Sequence, residues 1–429
     1  MNFWRWHALV CSLLKPFGSS SVHQPSILFI NRVFPPDRGA TGRCLADLAG
    51  RFAAAGWSVT VLACGKAEIP DDRPQYRVVR TGYSGGISAS RSIDYLKSLV
   101  RLLAAAWKLP RHDVVVTMTD PPLLAVIGPL IRLRWSCGLI HWSQDVYPDL
   151  FPVIGVRFPW ALGFALDQIS AASLRCYDTV VVIGACMARR IMGKGVAPDR
   201  VAVVPNWADP VIRPVPRATN PMRRELGLGD RFTVAYSGNF GLAHPIGAVI
   251  DAVAILAREA PEIAVLLIGE GRGLSRVRQR IEESALPNLR LLPWQPAHRL
   301  AESLGAADLH LASMDERAEG MMVPSKVAGA LAAGRPCILL GSAGGAAARQ
   351  IADSGCGSIL SSGDGKGLAR VIMMHAADTR MHAEVCACAS VAASAWSADL
   401  AAAAFLAKAH DAVRRPASSV WGKLAAGND

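Results

Sequence analysis

The sequence predicts an α/β protein built from two doubly wound domains, each with a parallel sheet covered by helices on both faces. Short, almost continuous apolar runs alternate with helical patterns along most of the chain, which is typical of strands buried on both sides. A proline-rich stretch, PNWADPVIRPVPRATNP at 205–221, interrupts this alternation near the middle. We therefore expect two similar halves joined by a linker.

Composition narrows the function classes. The 429 residues are 51% hydrophobic and 19% charged, which excludes a disordered chain. The formal net charge of +12 indicates anionic partners, but no nucleic-acid-binding signature accompanies it, so we predict no nucleic acid partner. The ten cysteines form no CxxC pair, which argues against a zinc site or disulfide framework and favours a reducing, cytoplasmic setting.

Five apolar runs predict the strands of the first half: SILFIN (26–31), SVTVLA (58–63), DVVVTMT (113–119), GLIHWS (138–143) and TVVVIG (179–184). After the first run, Leu45, Leu48 and Phe52 recur at helical spacing, which predicts a helix with one apolar face. His141 lies inside the fourth run, and we interpret it as a core histidine.

The second half repeats the pattern with five further runs: FTVAYSG, IAVLLIG, LRLLP, DLHLAS and CILLG. Before the last run, Pro324 suits the first position of a short helix and Gly334 suits its exit. The alanine-rich segment 399–413 predicts a terminal helix.

These boundaries predict a division of the chain into segments. The aromatic first segment contains an apolar stretch, 8–14, that is too short to span a bilayer, so we expect a disordered extension or weak surface anchor. The predicted segments are an extension (1–24), an N-terminal domain (25–210), a C-terminal domain (211–397), a helix packing back on the first domain (398–413) and a tail (414–429).

Glycine-containing loops follow three of the predicted strands. Gly39 lies in FPPDRGATG, Gly238 is the first glycine of YSGNFGLAH, and Gly269 begins GEGRG. Small residues allow backbone amides to approach a phosphate at a helix start, although none of these loops has the GxGxxG order and each alone could be a tight turn. Three such loops on two matching halves favour a nucleotide-binding cleft at the carboxyl ends of the strands.

Several other residues could carry chemistry, and each has a plainer alternative. Lys326 lies in the first helical turn, where the dipole disfavours a cation, so it either faces a bound diphosphate or is a tolerated surface lysine. Asp145, after the fourth strand, is an acceptor-side polar anchor or acid/base group, or else a helix cap. Trp294 and Gln295 are candidates to line a base pocket. Trp294 could equally pack against neighbouring side chains instead.

Five motifs in this order resemble the GT-B-fold, nucleotide-sugar-dependent glycosyltransferases of family 4, particularly those of bacterial exopolysaccharide and capsule assembly. The motifs are FPPDRGATGR, WSQDVYPDL, VVPNWADP, YSGNFGLAH and EGMMVPSKVAGALAAGRP. The resemblance runs from about Ser26 to Val413. It implies two Rossmann-like domains that face each other across a cleft, with the donor bound by the C-terminal one.

The resemblance also implies roles for individual residues. Gly39 would lie under the donor phosphates, Gly238 would open the matching donor loop, and Glu319 would lie beside the donor sugar. Loop amides would face the diphosphate at Gly320, Met321, Met322, Val323 and Ser325.

Two departures from the family's pattern concern the donor site. Asn239 and His244 stand where the family commonly has basic residues, and Lys326 could replace the missing charge. The family's second glutamate, which usually holds the donor ribose, falls on Gly329.

The resemblance implies a retaining, metal-independent hexosyltransferase that needs no cofactor beyond its nucleoside diphosphate sugar. The expected acceptor is a polyprenyl-diphosphate-linked oligosaccharide. The net charge, the basic stretch IRLRW (131–135) and the apolar stretch PPLLAVIGPL (121–130) predict peripheral attachment to the anionic inner face of the cell membrane.

Two alternatives remain open from the sequence. An inactive GT-B partner or scaffold subunit would bind without turnover, and the glycine at position 329 favours it. A nucleotide-sugar epimerase of the same fold would need more cleft acids and histidines than the sequence shows.

Overall fold

A computed structural model describes residues 23–37, 39–65, 75–82, 91–271, 273–283 and 286–414. Nearly all of the predicted N-terminal extension and of the predicted tail therefore lies outside the described residues. The described chain forms two α/β halves, each built around one parallel sheet.

The N-terminal half contains a seven-stranded sheet of order β3-β2-β1-β4-β5-β6-β7, with every neighbouring pair parallel. The order reverses between β1 and β4, which creates a switch point at the carboxyl ends of these strands. The strands are β1 (Ser26–Ile30), β2 (Ser58–Ala63), β3 (Arg77–Arg80), β4 (Val114–Thr117), β5 (Gly138–Ser143), β6 (Thr179–Val182) and β7 (Val201–Val203).

The C-terminal half contains a six-stranded parallel sheet of order β10-β9-β8-β11-β12-β13. It repeats the first six positions of the N-terminal order, so its switch point lies between β8 and β11. The strands are β8 (Thr233–Ser237), β9 (Ala264–Ile268), β10 (Leu289–Leu292), β11 (Leu309–Ser313), β12 (Cys337–Leu340) and β13 (Gly357–Leu360).

Helices connect and cover both sheets. Those of the N-terminal half are α1 (Ala40–Ala54), α2 (Arg91–Lys108), α3 (Ile127–Arg134), α4 (Trp160–Arg175) and α5 (Ala185–Gly193). Those that follow are α6 (Pro221–Glu225), α7 (Gly247–Glu259), α8 (Leu274–Glu283), α9 (Leu300–Gly305), α10 (Lys326–Ala332), α11 (Ala346–Ser354), α12 (Gly365–Ala377), α13 (Thr379–Ala395) and α14 (Ala398–Arg414).

The predicted fold class is confirmed, and all ten apolar runs contain a strand. Three strands were not predicted, namely β3, β7 and β13. Their side chains are half-buried or exposed, and of the three only β7 lies in an apolar run of four residues, VAVV at 201–204. The short helix α10 begins at Lys326, two residues after the predicted start at Pro324, and Gly334 follows its end with a left-handed φ of +69°.

The last helix, α14, belongs to the N-terminal core. Its small residues and Phe405 are buried against β5 and α1, and the Phe405 ring contacts Trp142 at 5.0 Å. Within the described chain, the 36-residue stretch Thr379–Arg414 has a length and composition compatible with a membrane-crossing helix. The helical stretch is interrupted at Trp396. The side of α14 that carries Phe405 is buried and packs as a core helix does.

The structure corrects the segment chosen for membrane contact. Half of the residues in the apolar stretch 121–130 are buried, among them Leu124 and Ile127. Arg132 is buried as well, donates to the Cys176 carbonyl at 2.9 Å and pairs with Asp178. This stretch is therefore not a continuous basic and apolar surface, and it exposes only Leu130, Leu133 and Arg134.

Candidate active site

The glycine loops at the C-terminal switch point contact each other. Gly238 and Gly269 both have left-handed φ values, +135° and +137°, that favour glycine. A Cβ on Gly269 would overlap the carbonyl group of Gly238, and the amide of Phe240 donates to the Glu270 carbonyl at 2.9 Å. Close packing of two loops therefore requires part of the glycine pattern that we had interpreted as a phosphate cradle.

Gly39 lies at the N-terminal switch point, immediately before α1, in extended conformation. A Cβ at this position would lie 2.7 Å from a methyl group of Val33, so glycine lets the helix start sit close to the loop after β1. The first turn of α1 carries no acidic residue and Gly39 offers no side-chain cap, which leaves a helix start suited to an anion.

Lys326 occupies the first position of α10, and its side chain reaches the end of β8. Its ammonium group lies 5.0 Å from the centroid of the Tyr236 ring. A Cβ on Gly238 would lie 2.9 Å from the Lys326 Cε, so the glycine makes room for the lysine. The cation–π contact offsets part of the dipole cost, by about 0.5–1 kcal/mol at an exposed site.

His244 lies close to this lysine and is neutral at physiological pH. Its Nδ1 donates to the Ser313 carbonyl at 2.5 Å, and its ring lies near Asn239, across Gly241. Burial, with a smaller effect from the positive charge of Lys326, lowers the pKa of His244 to about 3. His244 therefore supplies a neutral imidazole to the predicted donor site, and Lys326 supplies positive charge.

Glu319 ends a short turn after β11 and is held against the loop that leads into α11. Its carboxylate accepts a hydrogen bond from the Ser342 hydroxyl, which in turn accepts from the Gly344 amide at 3.1 Å. A Cβ on Gly344 would collide with the carboxylate. Glu319 is thus a positioned, half-buried carboxylate, a description that fits both a sugar contact and a loop anchor.

The loop 320–325 forms a seam between the two halves. The Val146 amide donates to the Met321 carbonyl at 2.7 Å, and Asp145 forms an antiparallel bridge with Met322. On the same seam, Val323 contacts the start of α5 at Gly184. These contacts join the residues after β5 and the start of α5 to the loop before α10.

This seam changes the expected role of the loop. The Met321 amide already donates to the Ala318 carbonyl at 2.9 Å, so it is not available to a diphosphate as we had predicted. The side chains of Met321 and Met322 join a small apolar cluster with Leu150. Gly320 has a φ of +71°, and Ser325 precedes α10 without capping it through its side chain.

Asp145 lies on the N-terminal side of the seam. Its side chain lines a cavity of about 20 Å³ in the N-terminal half, together with Thr119 and His141. Burial, with a smaller effect from the charge of Asp120, raises the pKa of Asp145 to about 7. A carboxyl group with this pKa can hold or accept a proton near neutral pH, as an acid/base group must.

We expect Asp145 to make stability depend on pH. Because the carboxyl pKa rises from 3.8 to about 7 on folding, the native state holds an extra proton in this window, and the free energy of unfolding falls as pH rises through it. Asp145→Asn should therefore gain stability relative to the parent between about pH 5 and pH 8. Urea unfolding of both proteins at the two pH values measures this gain, and an equal difference at both values would contradict it.

Trp294 and Gln295 follow β10, and the structure links the tryptophan to the opposite half. The Arg43 guanidinium lies 5.8 Å from the Trp294 ring centroid, while the Gln295 amide donates to the Pro293 carbonyl at 2.9 Å. Sequence reasoning missed Arg43, although a cation in the first turn of α1 is the same signal that singled out Lys326.

Gly329 and His141 both lie among buried or apolar groups. A Cβ on Gly329 would lie 3.4 Å from Leu304 and 3.9 Å from Ile212, both apolar side chains, and the position has no carboxylate for a donor ribose. His141 is buried, with Nδ1 3.0 Å from the Thr117 hydroxyl, as a core histidine. Among the described residues, no three metal-ligating side chains cluster as a metal site would require.

Two Rossmann-like domains with facing switch points define the GT-B type of glycosyltransferase. Two family models match this chain, "Glycosyl transferase 4-like domain" over residues 39–207 and "Glycosyl transferases group 1" over residues 219–385. The chain belongs to the GT-B glycosyltransferases of the family 4 type, a family of transferase enzymes.

Named relatives agree with this family. The chain is 27% identical to a probable glycosyltransferase, WbjE, of Pseudomonas aeruginosa over 264 residues, which is 61% of this chain. It is 30% identical to a putative colanic acid biosynthesis glycosyl transferase, WcaI, of Escherichia coli over 241 residues, or 54% of this chain. The alignments span 66% and 58% of these relatives, less than two thirds of either.

Solved structures show the same fold. Anabaena HepE in complex with UDP matches with a TM-score of 0.68 and 16% identity, covering 90% of this chain and 100% of that one. Sucrose-phosphate synthase from Thermosynechococcus elongatus matches with a TM-score of 0.74 and 18% identity, covering 90% and 99%.

Proposed function

We propose that this protein is a retaining, metal-independent glycosyltransferase that moves a sugar from a nucleoside diphosphate donor to a lipid-linked oligosaccharide. The pathway would be exopolysaccharide, capsule or lipopolysaccharide assembly, at the cytoplasmic face of the cell membrane. The family membership, the relative with a colanic acid name and the UDP-bound neighbour structures support this proposal. The retaining, metal-independent character rests on the family resemblance.

One observation carries the proposal: Lys326 is held at the loop that opens with Gly238, at the switch point of the C-terminal sheet. A departing nucleoside diphosphate is a dianion or more, and a fixed cation at this point would stabilise the charge that develops on it. Glu319, fixed by Ser342, would orient the sugar hydroxyls so that the anomeric carbon faces the acceptor.

The acceptor would approach from the N-terminal half, where Asp145 lies. The Asp145 carboxyl group has a pKa of about 7, so near neutral pH it would accept a proton from an acceptor hydroxyl or form a hydrogen bond with it. The net charge of +12 supports an anionic membrane as the surface at which a polyprenyl-diphosphate-linked acceptor is met.

A donor panel tests the proposal. Purified protein is incubated with UDP, GDP and dTDP sugars, with and without a lipid-linked oligosaccharide extract, and release of nucleoside diphosphate is measured. We expect one donor to be turned over and its turnover to rise with the acceptor. Absence of turnover with every donor in the presence of acceptor would contradict the proposal.

A second candidate function is that of an inactive GT-B partner or scaffold subunit. Two observations favour it: the glycine at position 329 lacks the carboxylate that usually holds the donor ribose in the family, and the Met321 amide is already engaged. This protein would bind a nucleotide or another transferase without turnover. Calorimetric nucleotide binding, measured beside the panel, separates the two functions.

A further inference from the structure

Exposed apolar side chains are concentrated on three helices of the N-terminal half. Among the described residues, ten of the sixteen large apolar side chains that are exposed lie on α2, α3 and α4, whereas a random scatter would divide them between both halves. They are Ile93, Leu96, Val100, Trp107, Leu130, Leu133, Trp160, Leu162, Phe164 and Ile169. We call this set, with the basic residues between its members, the α2–α4 face.

The outward side of α2 exposes an apolar stripe with a basic stripe beside it. The helix buries Leu102 and Ala106 on the inner side, and it exposes residues at spacings of three and four on the outer side. The exposed residues are Ile93, Leu96, Lys97, Val100, Arg101, Ala104, Trp107 and Lys108. The single carboxylate of the helix, Asp94, is half-buried, so the exposed side carries positive charge only.

Aromatic residues extend the face beyond α2. The Arg134 guanidinium at the end of α3 lies 5.3 Å from the Trp107 ring centroid. At the start of α4, Trp160 is 83% exposed and stacks on Phe164 with a centroid distance of 5.9 Å. Because α3 packs on α2, and α4 packs on the short turn before α3, the three helices are neighbours in the N-terminal half.

We propose that the α2–α4 face is the surface by which this protein docks on an anionic lipid bilayer. A helix that exposes an apolar stripe beside a basic one lies in the plane of the bilayer interface, and exposed tryptophan side chains favour the same depth. A second copy of this chain fits less well, since it would bring the same basic residues against Lys97, Arg101 and Lys108.

The position of the face agrees with a lipid-anchored acceptor, and this step rests on the proposed function. Tyr95, near the start of α2, packs under the Arg32 guanidinium at 5.4 Å, and Arg32 pairs with Asp120 at 2.6 Å. The charge of Asp120 acts on Asp145. The bilayer face thus borders the acceptor side of the cleft, so an acceptor carried by a membrane lipid would enter from the docked surface.

Vesicle flotation tests docking without donor or acceptor, so its result is independent of whether the protein transfers a sugar. Vesicles of phosphatidylcholine with phosphatidylglycerol are compared with phosphatidylcholine alone, at low and high salt. We expect the parent protein to bind the anionic vesicles, and we expect high salt to weaken this binding. The double variant Leu96→Glu/Val100→Glu should bind at least about tenfold more weakly, because it places two charges in the apolar stripe.

A control variant outside the face and a charge variant within it make the result specific to this face. Val391→Glu places the same charge at an apolar residue of α13 that is 72% exposed, and it should bind as the parent does. Lys97→Gln/Lys108→Gln should keep the fold and reduce the salt dependence of binding. Unchanged thermal unfolding of each variant shows that it is folded.

Three results would overturn the proposal. One is equal vesicle binding by the parent and Leu96→Glu/Val100→Glu. Another is loss of binding in Val391→Glu alone, which would assign the membrane surface to α13. The third is a parent that ignores vesicles but dimerises in ultracentrifugation, with dimerisation lost in the double variant, which would make the face a self-association surface.

Discussion

Glu319→Gln is expected to lower turnover of the donor sugar on the order of 10²-fold while changing nucleoside diphosphate affinity little. The side chain is fixed beside the Ser342–Gly344 loop, so it can hold a sugar hydroxyl in a defined position. The carboxylate accepts stronger hydrogen bonds than the amide as charge develops on the sugar, so the loss should fall on kcat. Initial rates and nucleotide calorimetry on the same protein measure both quantities.

A matched control separates this role from loop anchoring. Glu316, three residues earlier, is an exposed carboxylate that accepts from the Ser362 amide at 3.0 Å, so Glu316→Gln should keep near-parental turnover. Ser342→Ala removes the anchor of Glu319 but leaves its charge, and we expect a smaller loss of turnover than in Glu319→Gln. Near-normal transfer by a folded Glu319→Gln protein would remove this residue from the mechanism.

The fold was predictable because strands that are buried on both sides appear in the sequence as short apolar runs. Strands such as β9 and β11 are buried along their whole length, so each produces an apolar run that the sequence displays. The edge strands β3 and β13 have half-buried or exposed residues and no such run, and they form because they pair with β2 and β12. Position in a sheet, which one segment does not encode, decides those cases.

The candidate site was predictable only where one strand end or one helix start determines it. Gly238 and Lys326 stand out locally, since one follows a strand and the other opposes a helix dipole, and the structure brings them together. The Arg43–Trp294 contact and the Asp145–Met322 bridge join residues from different halves, so they depend on how the domains dock. No pattern within either segment indicates its partner.

Lys326→Ala is expected to weaken nucleoside diphosphate binding by roughly 1 to 3 kcal/mol, the scale of a hydrogen bond to a charged group. Lys326→Met keeps the packing over Tyr236 without the charge, and it should lose a similar amount. Lys366→Ala, at an exposed lysine of α12, should lose almost nothing. Isothermal calorimetry with UDP, GDP and dTDP measures the affinities.

The same substitution has an expected effect that needs no ligand. The charge of Lys326 is one cause of the low pKa of His244, so the His244 pKa should rise in Lys326→Ala, measured by NMR titration of the imidazole. Global stability should change little, because loss of the cation–π contact with Tyr236 opposes relief of the unfavourable helix dipole. If the His244 pKa rises in Lys326→Ala but the nucleotide affinity is unchanged, the geometry is confirmed and Lys326 is a tolerated surface lysine. If the His244 pKa rises and the nucleotide affinity falls, the Lys326 cation lies where the diphosphate leaves.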